Sequence, residues 1–268
     1  MSFIKPLAQL EAIAILATIA IISLKFKLLD RDGVLASLPI GYIILTMASI
    51  QHFIILLTFF SVSGIATRIR VKRIGKALIE KDWIRSWRNV FANGFTPTLA
   101  VILAAIAPSQ RSLFAISGYL GAIGTAFADT LATEIGLLYP KKPRLITNLK
   151  KVERGTPGAV SPYGYLGGAL AALIICCLAY AFEFQSSVFL IITFASSIIG
   201  MTVDSVLGAS IQARYRCTVC GKLTESSHHC GQPARKIAGI GVINTHTVNL
   251  LSTMIGALTA ITLTITCT

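Results

Sequence analysis

The sequence predicts an all-α fold: a polytopic transmembrane bundle of about eight helices with basic cytoplasmic loops, one of them carrying a small zinc-knuckle-like insertion. Three observations predict it. Of 268 residues, 54% are hydrophobic and 13% charged, against about 25% charged in soluble domains. Mean hydropathy is +0.74. Apolar runs long enough to cross a bilayer recur along the whole chain. These values exclude disorder, a collagen-like fibre and an ordinary soluble enzyme. Residues 1–268 read as one integral-membrane domain, with 211–244 a Cys/His loop inside it.

The apolar spans are 7–24, 33–48, 51–67, 91–107, 112–138, 163–182, 187–210 and 245–266. The stretch from Gly33 to Thr67 reads as two helices, because one crossing needs only about 20 residues. The first span is not read as a signal peptide. Lys5 is its only basic leader, Glu11 interrupts it and no small-residue cleavage site stands out.

The formal net charge of +13 gathers between spans. Residues 68–90 hold Arg68, Arg70, Lys72, Arg73, Lys76, Lys81, Arg85 and Arg88. Residues 140–162 hold Lys141, Lys142, Arg144, Lys150, Lys151 and Arg154, and 211–244 hold Arg214, Arg216, Lys222, Arg235 and Lys236. Two spans separate consecutive basic loops, so all three face one side, the cytoplasmic side of a cell membrane. Lys25, Lys27 and Arg31 fall on the same side, and the connections near Pro108–Arg111 and Glu183–Ser187 are nearly uncharged. Attraction to anionic lipid, about 1 kcal/mol per residue near the surface, would also account for the basic loops.

It does not account for acids inside the spans. Asp129, Glu134 and Asp204 lie near the cytoplasmic ends of spans 112–138 and 187–210. A carboxylate at the centre of a spanning helix costs about 2.5–3.5 kcal/mol to insert, so such groups face the bundle interior and have partners. With hydroxyl neighbours and basic loops beside them, the three suggest Mg²⁺, which takes one or two carboxylates plus phosphate oxygens and water. Internal salt bridges that fix helix register, and a proton or cation path, stand beside that reading. Asp129 and Glu134 are five residues apart, so they reach one site only if it is wide or the helix is distorted.

Four further segments add candidates. Arg88 and Asn93 could contact phosphate or ribose, with Asn93-Gly94 a turn or helix-boundary signal. In Lys150-Lys-Val-Glu-Arg-Gly-Thr-Pro-Gly-Ala-Val-Ser161, Lys150 and Arg154 supply charge, and Thr156 and Ser161 supply hydroxyls, on a Gly-rich turn suited to phosphate. Cys217-Thr-Val-Cys220 followed by His228-His229-Cys230 fits a tetrahedral Cys₃His zinc site of structural type, with His229 preferred over His228. A disulfide is the alternative, disfavoured in a reducing cytoplasm. Asn244-Thr-His-Thr-Val-Asn249 opens the last span, as an acid/base or phosphate contact at His246 or as a helix-start hydrogen-bonding cluster. P-loop, Rossmann, zincin and serine-hydrolase signatures are absent from the sequence.

Ala128-Asp-Thr-Leu-Ala-Thr-Glu-Ile-Gly136, Gly155-Thr-Pro-Gly-Ala-Val-Ser161, Asp204-Ser-Val-Leu-Gly208 and the closing Asn244-x-x-x-Val-Asn249 together resemble the integral-membrane phytyl-phosphate kinase family. The resemblance runs from about Thr67 to the last span, with more distant similarity to CTP-dependent dolichol and phytol kinases. It implies transfer of the γ-phosphoryl group of CTP, or another nucleoside triphosphate, to an isoprenyl monophosphate. The catalytic set would be Asp129, Glu134, Asp204 and Arg154. Arg88, Asn93, Lys150, Thr156, Ser161 and Asn249 would bind the phosphates and nucleotide. Metal ligands would be Asp129, Glu134 and Asp204 for Mg²⁺, and Cys217, Cys220, His229 and Cys230 for structural Zn²⁺. The partners are then the lipid bilayer, the isoprenyl phosphate and the nucleotide, with no nucleic acid. Three alternatives are a lipid-phosphate cytidylyltransferase, a transporter of phosphorylated isoprenoids or cations, and a zinc-stabilised scaffold without chemistry.

Overall fold

The computed structural model describes residues 6–75, 84–106, 112–182 and 187–267. Eight α-helices dominate: α1 Pro6–Lys25, α2 Arg31–Ile43, α3 Ile50–Ile74, α4 Trp87–Ile106, α5 Ser112–Gly136, α6 Pro162–Ala181, α7 Ser187–Ser210 and α8 Thr245–Cys267. Five of them, α3, α4, α6, α7 and α8, are long and apolar enough to cross a membrane by length and composition. The stretch 33–67 is two helices. A π-helical turn, Ile44–Ala48, ends the first. Ser49, extended at φ −159°, then reverses the chain and caps α3 through the His52 N–H.

The fifth helix is the axis of the bundle. It packs against α3, α4, α6, α7 and α8, and every residue from Ser117 to Ala128 is buried. Side-chain pairs fix the directions of its neighbours. His52 with Tyr119, Phe59 with Phe127 and Arg70 with Glu134 run in the same order on α3 and α5, so these helices are parallel. Ser117 bonds Thr264 and the Ala260 carbonyl, while Gly121 lies against Gly256, so α8 is antiparallel to α5. Both directions match the alternation that the charge pattern predicts. The described parts of the three basic loops therefore gather at one end of the bundle.

Two boundaries differ from the sequence expectation. The span read as 51–67 continues helically to Ile74, because Arg68, Lys72 and Arg73 turn outward while Arg70 is buried against a carboxylate on α5. The fourth helix begins at Trp87, so Arg88 lies in its first turn. Asn93-Gly94 is therefore no turn: it lies in the helix interior, where Gly94 packs on Ile40. The all-α expectation also omits short strands in the loops. Arg144–Leu145 (β1) pairs with Ala159–Val160 (β2). Arg214–Arg216 (β3), Leu223–Thr224 (β4) and Arg235–Ala238 (β7) form a sheet ordered β4-β3-β7, and His228–His229 (β5) pairs with Gln232–Pro233 (β6). Lys5, Lys76, Lys81, Pro108, Arg111 and Glu183 lie outside the described residues.

Candidate functional site

The site is built on close helix approach around Thr125. A Cβ at Gly200 of α7 or Gly256 of α8 would collide with the Thr125 hydroxyl, so all three helices meet at that level. One turn towards the basic end, the same faces carry Asp129 on α5, Asp204 on α7 and Ser252 on α8. Ser252 Oγ donates to Asp204 Oδ2 at 2.9 Å. A second contact extends this level to α4. Thr96 and Thr253 bond at 3.1 Å, and one turn before each stand Asn93 and Asn249. Asn93, Asp129, Asp204 and Asn249 are each half-buried, and all four lie in the half of their helix nearer the basic loops.

Glu134 is not gathered with them. Five helical residues rotate it by about 140° from Asp129, which turns it to α3. There Arg70 Nε approaches Glu134 Oε2 at 2.5 Å and Thr67 Oγ1 donates to Oε1 at 2.9 Å. Both side chains are buried. Arg85, before α4, stacks 5.7 Å from the Phe59 ring. Burial lowers its pKa and the Glu134 carboxylate works against that shift. Thr67 and Arg70 escaped the sequence reading, which ended the third span at Thr67. Their three-residue spacing on one helix face was the available signal.

Gly155–Ser161 is brought to the same end. Gly158, at φ +73°, lies against the Ser205 carbonyl and Ala209 of α7, a place that admits no side chain. The backbone of this turn therefore abuts the helical turn that follows Asp204. Ser161 caps α6 by accepting from the Gly164 N–H at 3.1 Å. Thr156 Oγ1 donates to the Glu153 carbonyl at 2.8 Å, and Arg154 donates to the Pro140 carbonyl at 2.7 Å. Lys150 and Arg154 are exposed, as is Arg88, which stacks on Trp87. At the start of α8, Asn244 Oδ1 accepts from the backbone N–H groups of His246 and Thr247, a helix-start cap.

The Cys/His loop forms a second, separate centre. Donor atoms of Cys217, Cys220, His229 and Cys230 all lie within 4.8 Å of one another. His229 Nδ1 is 3.5 Å from Cys220 Sγ and 3.2 Å from Cys230 Sγ, whereas the His228 ring bonds Ser227. Cys217 Sγ accepts from the backbone N–H groups of Cys220 and Val219 at 3.4 and 3.3 Å. The Cys220 bond leads in drawing its thiol down to about 6. Such a set could hold a metal ion. Among the described residues, Asp129, Glu134 and Asp204 form no comparable group of three convergent ligands.

Comparison with known proteins gives a family match over residues 14–257, described as integral membrane protein DUF92. An uncharacterized membrane protein of Methanocaldococcus jannaschii is 32% identical over 247 residues, 92% of this chain and 90% of the relative. Protein PGR of Arabidopsis thaliana is 27% identical over 272 residues, 91% of this chain and 92% of the relative. Protein VTE6, chloroplastic, of the same plant is 26% identical over 193 residues, 69% of this chain and 56% of the relative. These relatives agree with the resemblance carried by the motifs. No solved structure matches.

Proposed function

Because the chain belongs to the integral membrane protein family DUF92, we propose that it is a membrane-embedded phosphotransferase. It would move the γ-phosphoryl group of CTP, or another nucleoside triphosphate, to an isoprenyl monophosphate at the cytoplasmic face. The motif resemblance and the distant similarity to protein VTE6 support prenyl-phosphate chemistry at a membrane. The observation that carries the proposal is the placing of Asp129 and Asp204 one turn beyond the Thr125 contact, level with Asn93 and Asn249 and beside the Gly155–Ser161 turn.

In this reading Asp129 and Asp204 would hold Mg²⁺. Their hard oxygen donors fit that ion, and the Ser252 hydroxyl already orients one Asp204 oxygen. Bound there, the ion would neutralise charge on the transferring phosphates. Lys150, Arg154 and Arg88 are exposed around the same end and would draw in the two polyanions. Asn93 and Asn249 would orient phosphate oxygens, and the Thr156–Ser161 turn would offer backbone N–H groups. Glu134 belongs to the set through Arg70: it holds α5 against α3 and so sets the height of Asp129. The acceptor is already ionised, so no strong base is needed. Its phosphate oxygen bonds to the γ-phosphorus as the β–γ bridge breaks, releasing nucleoside diphosphate. The isoprenyl tail would run outward along α4, where Ala100, Val101 and Ala104 line an apolar cleft on the face that Asn93 begins. Zn²⁺ at Cys217, Cys220, His229 and Cys230 would be structural, since four protein ligands leave no open position.

The test is turnover by the purified chain with Mg²⁺, γ-labelled nucleotides and phytyl or geranylgeranyl phosphate. A labelled polyprenyl diphosphate that disappears in Asp129→Asn is the expected product. Pyrophosphate release would instead indicate a cytidylyltransferase. Flux of ions or lipid phosphate in vesicles, without turnover of any nucleotide, would overturn the enzyme reading.

A further inference from the structure

The β4-β3-β7 sheet has an exposed face with no partner among the described residues. Cross-strand partners share a face of a sheet. Arg216 stands opposite both Leu223 and Arg235, and all three are exposed. Ile237, at the bulge that interrupts β7, is 45% exposed. The other face carries the Tyr215–Thr224 pair, half-buried and buried respectively. That face is packed at Tyr215 and Thr224, with Lys236 exposed at its edge, while the first sets two guanidinium groups beside two large aliphatic side chains. Beyond the sheet, where the chain returns to α8, Val242 is 82% exposed.

The position of this sheet is fixed by its base. The Ala213 N–H donates to the Ile243 carbonyl at 2.8 Å, and the Ile240 N–H donates to the Ile211 carbonyl at 2.9 Å. Ile211 directly follows α7 and Ile243 shortly precedes α8, two helices of membrane-spanning length. The sheet therefore rises from the ends of two spans, at the level where lipid headgroups lie. Aliphatic side chains interleaved with guanidinium groups suit that layer, which is apolar below and phosphate-bearing above. Residues 211–244 hold Arg214, Arg216, Lys222, Arg235 and Lys236 against the single acid Glu225. The same charge argues against a second copy of the chain, since two such faces would repel.

We infer that the Arg216–Leu223–Arg235–Ile237 face rests on the anionic lipid surface of the membrane that the helices cross. It docks the Cys/His segment beside the mouth of the bundle. The inference is independent of any enzymatic activity.

The full chain carrying Ile237→Trp tests it in nanodiscs of phosphatidylcholine, alone or mixed with phosphatidylglycerol, after subtraction of the parent fluorescence. Quenching by brominated acyl chains should be about twofold or more stronger in the anionic discs and fall at high salt. Arg216→Gln with Arg235→Gln should abolish the lipid difference without changing metal content. Leu223→Trp gives a second reporter should Ile237→Trp disturb the bulge. Equal quenching by aqueous iodide in both lipids, from both reporters, would overturn the inference. So would protection that rises with protein concentration and ignores lipid charge, which would indicate self-association.

Discussion

The Arg70–Glu134 pair offers the sharpest quantitative test. Arg70 is 1% exposed and Glu134 7% exposed, and the pair joins α3 to α5 near the basic end of the bundle. Arg70→Gln leaves a buried carboxylate whose bonded partner is the Thr67 hydroxyl. Breaking a buried ion pair on one side costs about 3–5 kcal/mol in soluble proteins. In a bilayer the unfolded state also finds partners, and interhelical hydrogen bonds average only about 0.6 kcal/mol. Charge places this pair between those limits, so we expect Arg70→Gln to cost about 2–3 kcal/mol. That corresponds to a shift of about 30- to 150-fold in the unfolding equilibrium. Thr67→Ala, which removes one neutral donor, should cost about 0.6 kcal/mol. Replacing both charges, Arg70→Met with Glu134→Leu, should cost much less than the sum of the single replacements. Reversible unfolding in mixed detergent micelles, followed by helix content across a denaturing-detergent titration, measures these variants and the two single replacements that make up the double. A loss below about 1 kcal/mol for Arg70→Gln, or additivity in the double replacement, would refute the pair as the lock between α3 and α5.

Further expectations concern the site and the metal centre. Asp129→Asn and Asp204→Asn should each lower phosphoryl transfer by about 10²-fold or more with little change in thermal unfolding; parallel losses of fold would oppose the assignment. Ser252→Ala removes the donor to Asp204 and should slow transfer by about tenfold, measured at saturating nucleotide. Gly256→Ala should destabilise the bundle by about 1–3 kcal/mol through overpacking against Thr125, and Thr125→Ala should relieve part of that loss. Metal analysis should find one zinc per chain, retained in His228→Ala and lost in Cys217→Ser or His229→Ala.

Much of the architecture was legible because bilayer thickness and the positive-inside bias act on composition, which needs no tertiary information. The eight helices followed from that, as did the relative directions of α3, α5 and α8 and the break near Ser49. The last two turns of α3 were not legible. Four basic residues in a row of seven read as loop, and only the position of Glu134 on a distant helix explains why Arg70 can be buried. The Cys217–Cys230 cluster could be read because its ligands are close in sequence. Ser252 could not, since its role depends on α7 meeting α8 at Gly200 and Gly256. Glu134 was grouped with Asp129 by depth, whereas helical rotation separates them.

The burial of α5 on all sides bears on how the chain is assembled. Gly121, Thr125 and Asp129 sit on a helix that is synthesised before α6, α7 and α8 exist. For that interval its polar stripe faces lipid or the translocation channel instead of protein. A chain truncated after Gly136 should therefore hold this segment poorly in the bilayer, and protease accessibility should fall only once α8 has emerged. Biogenesis thus becomes ordered, with the last helix closing the wall around a segment already waiting there.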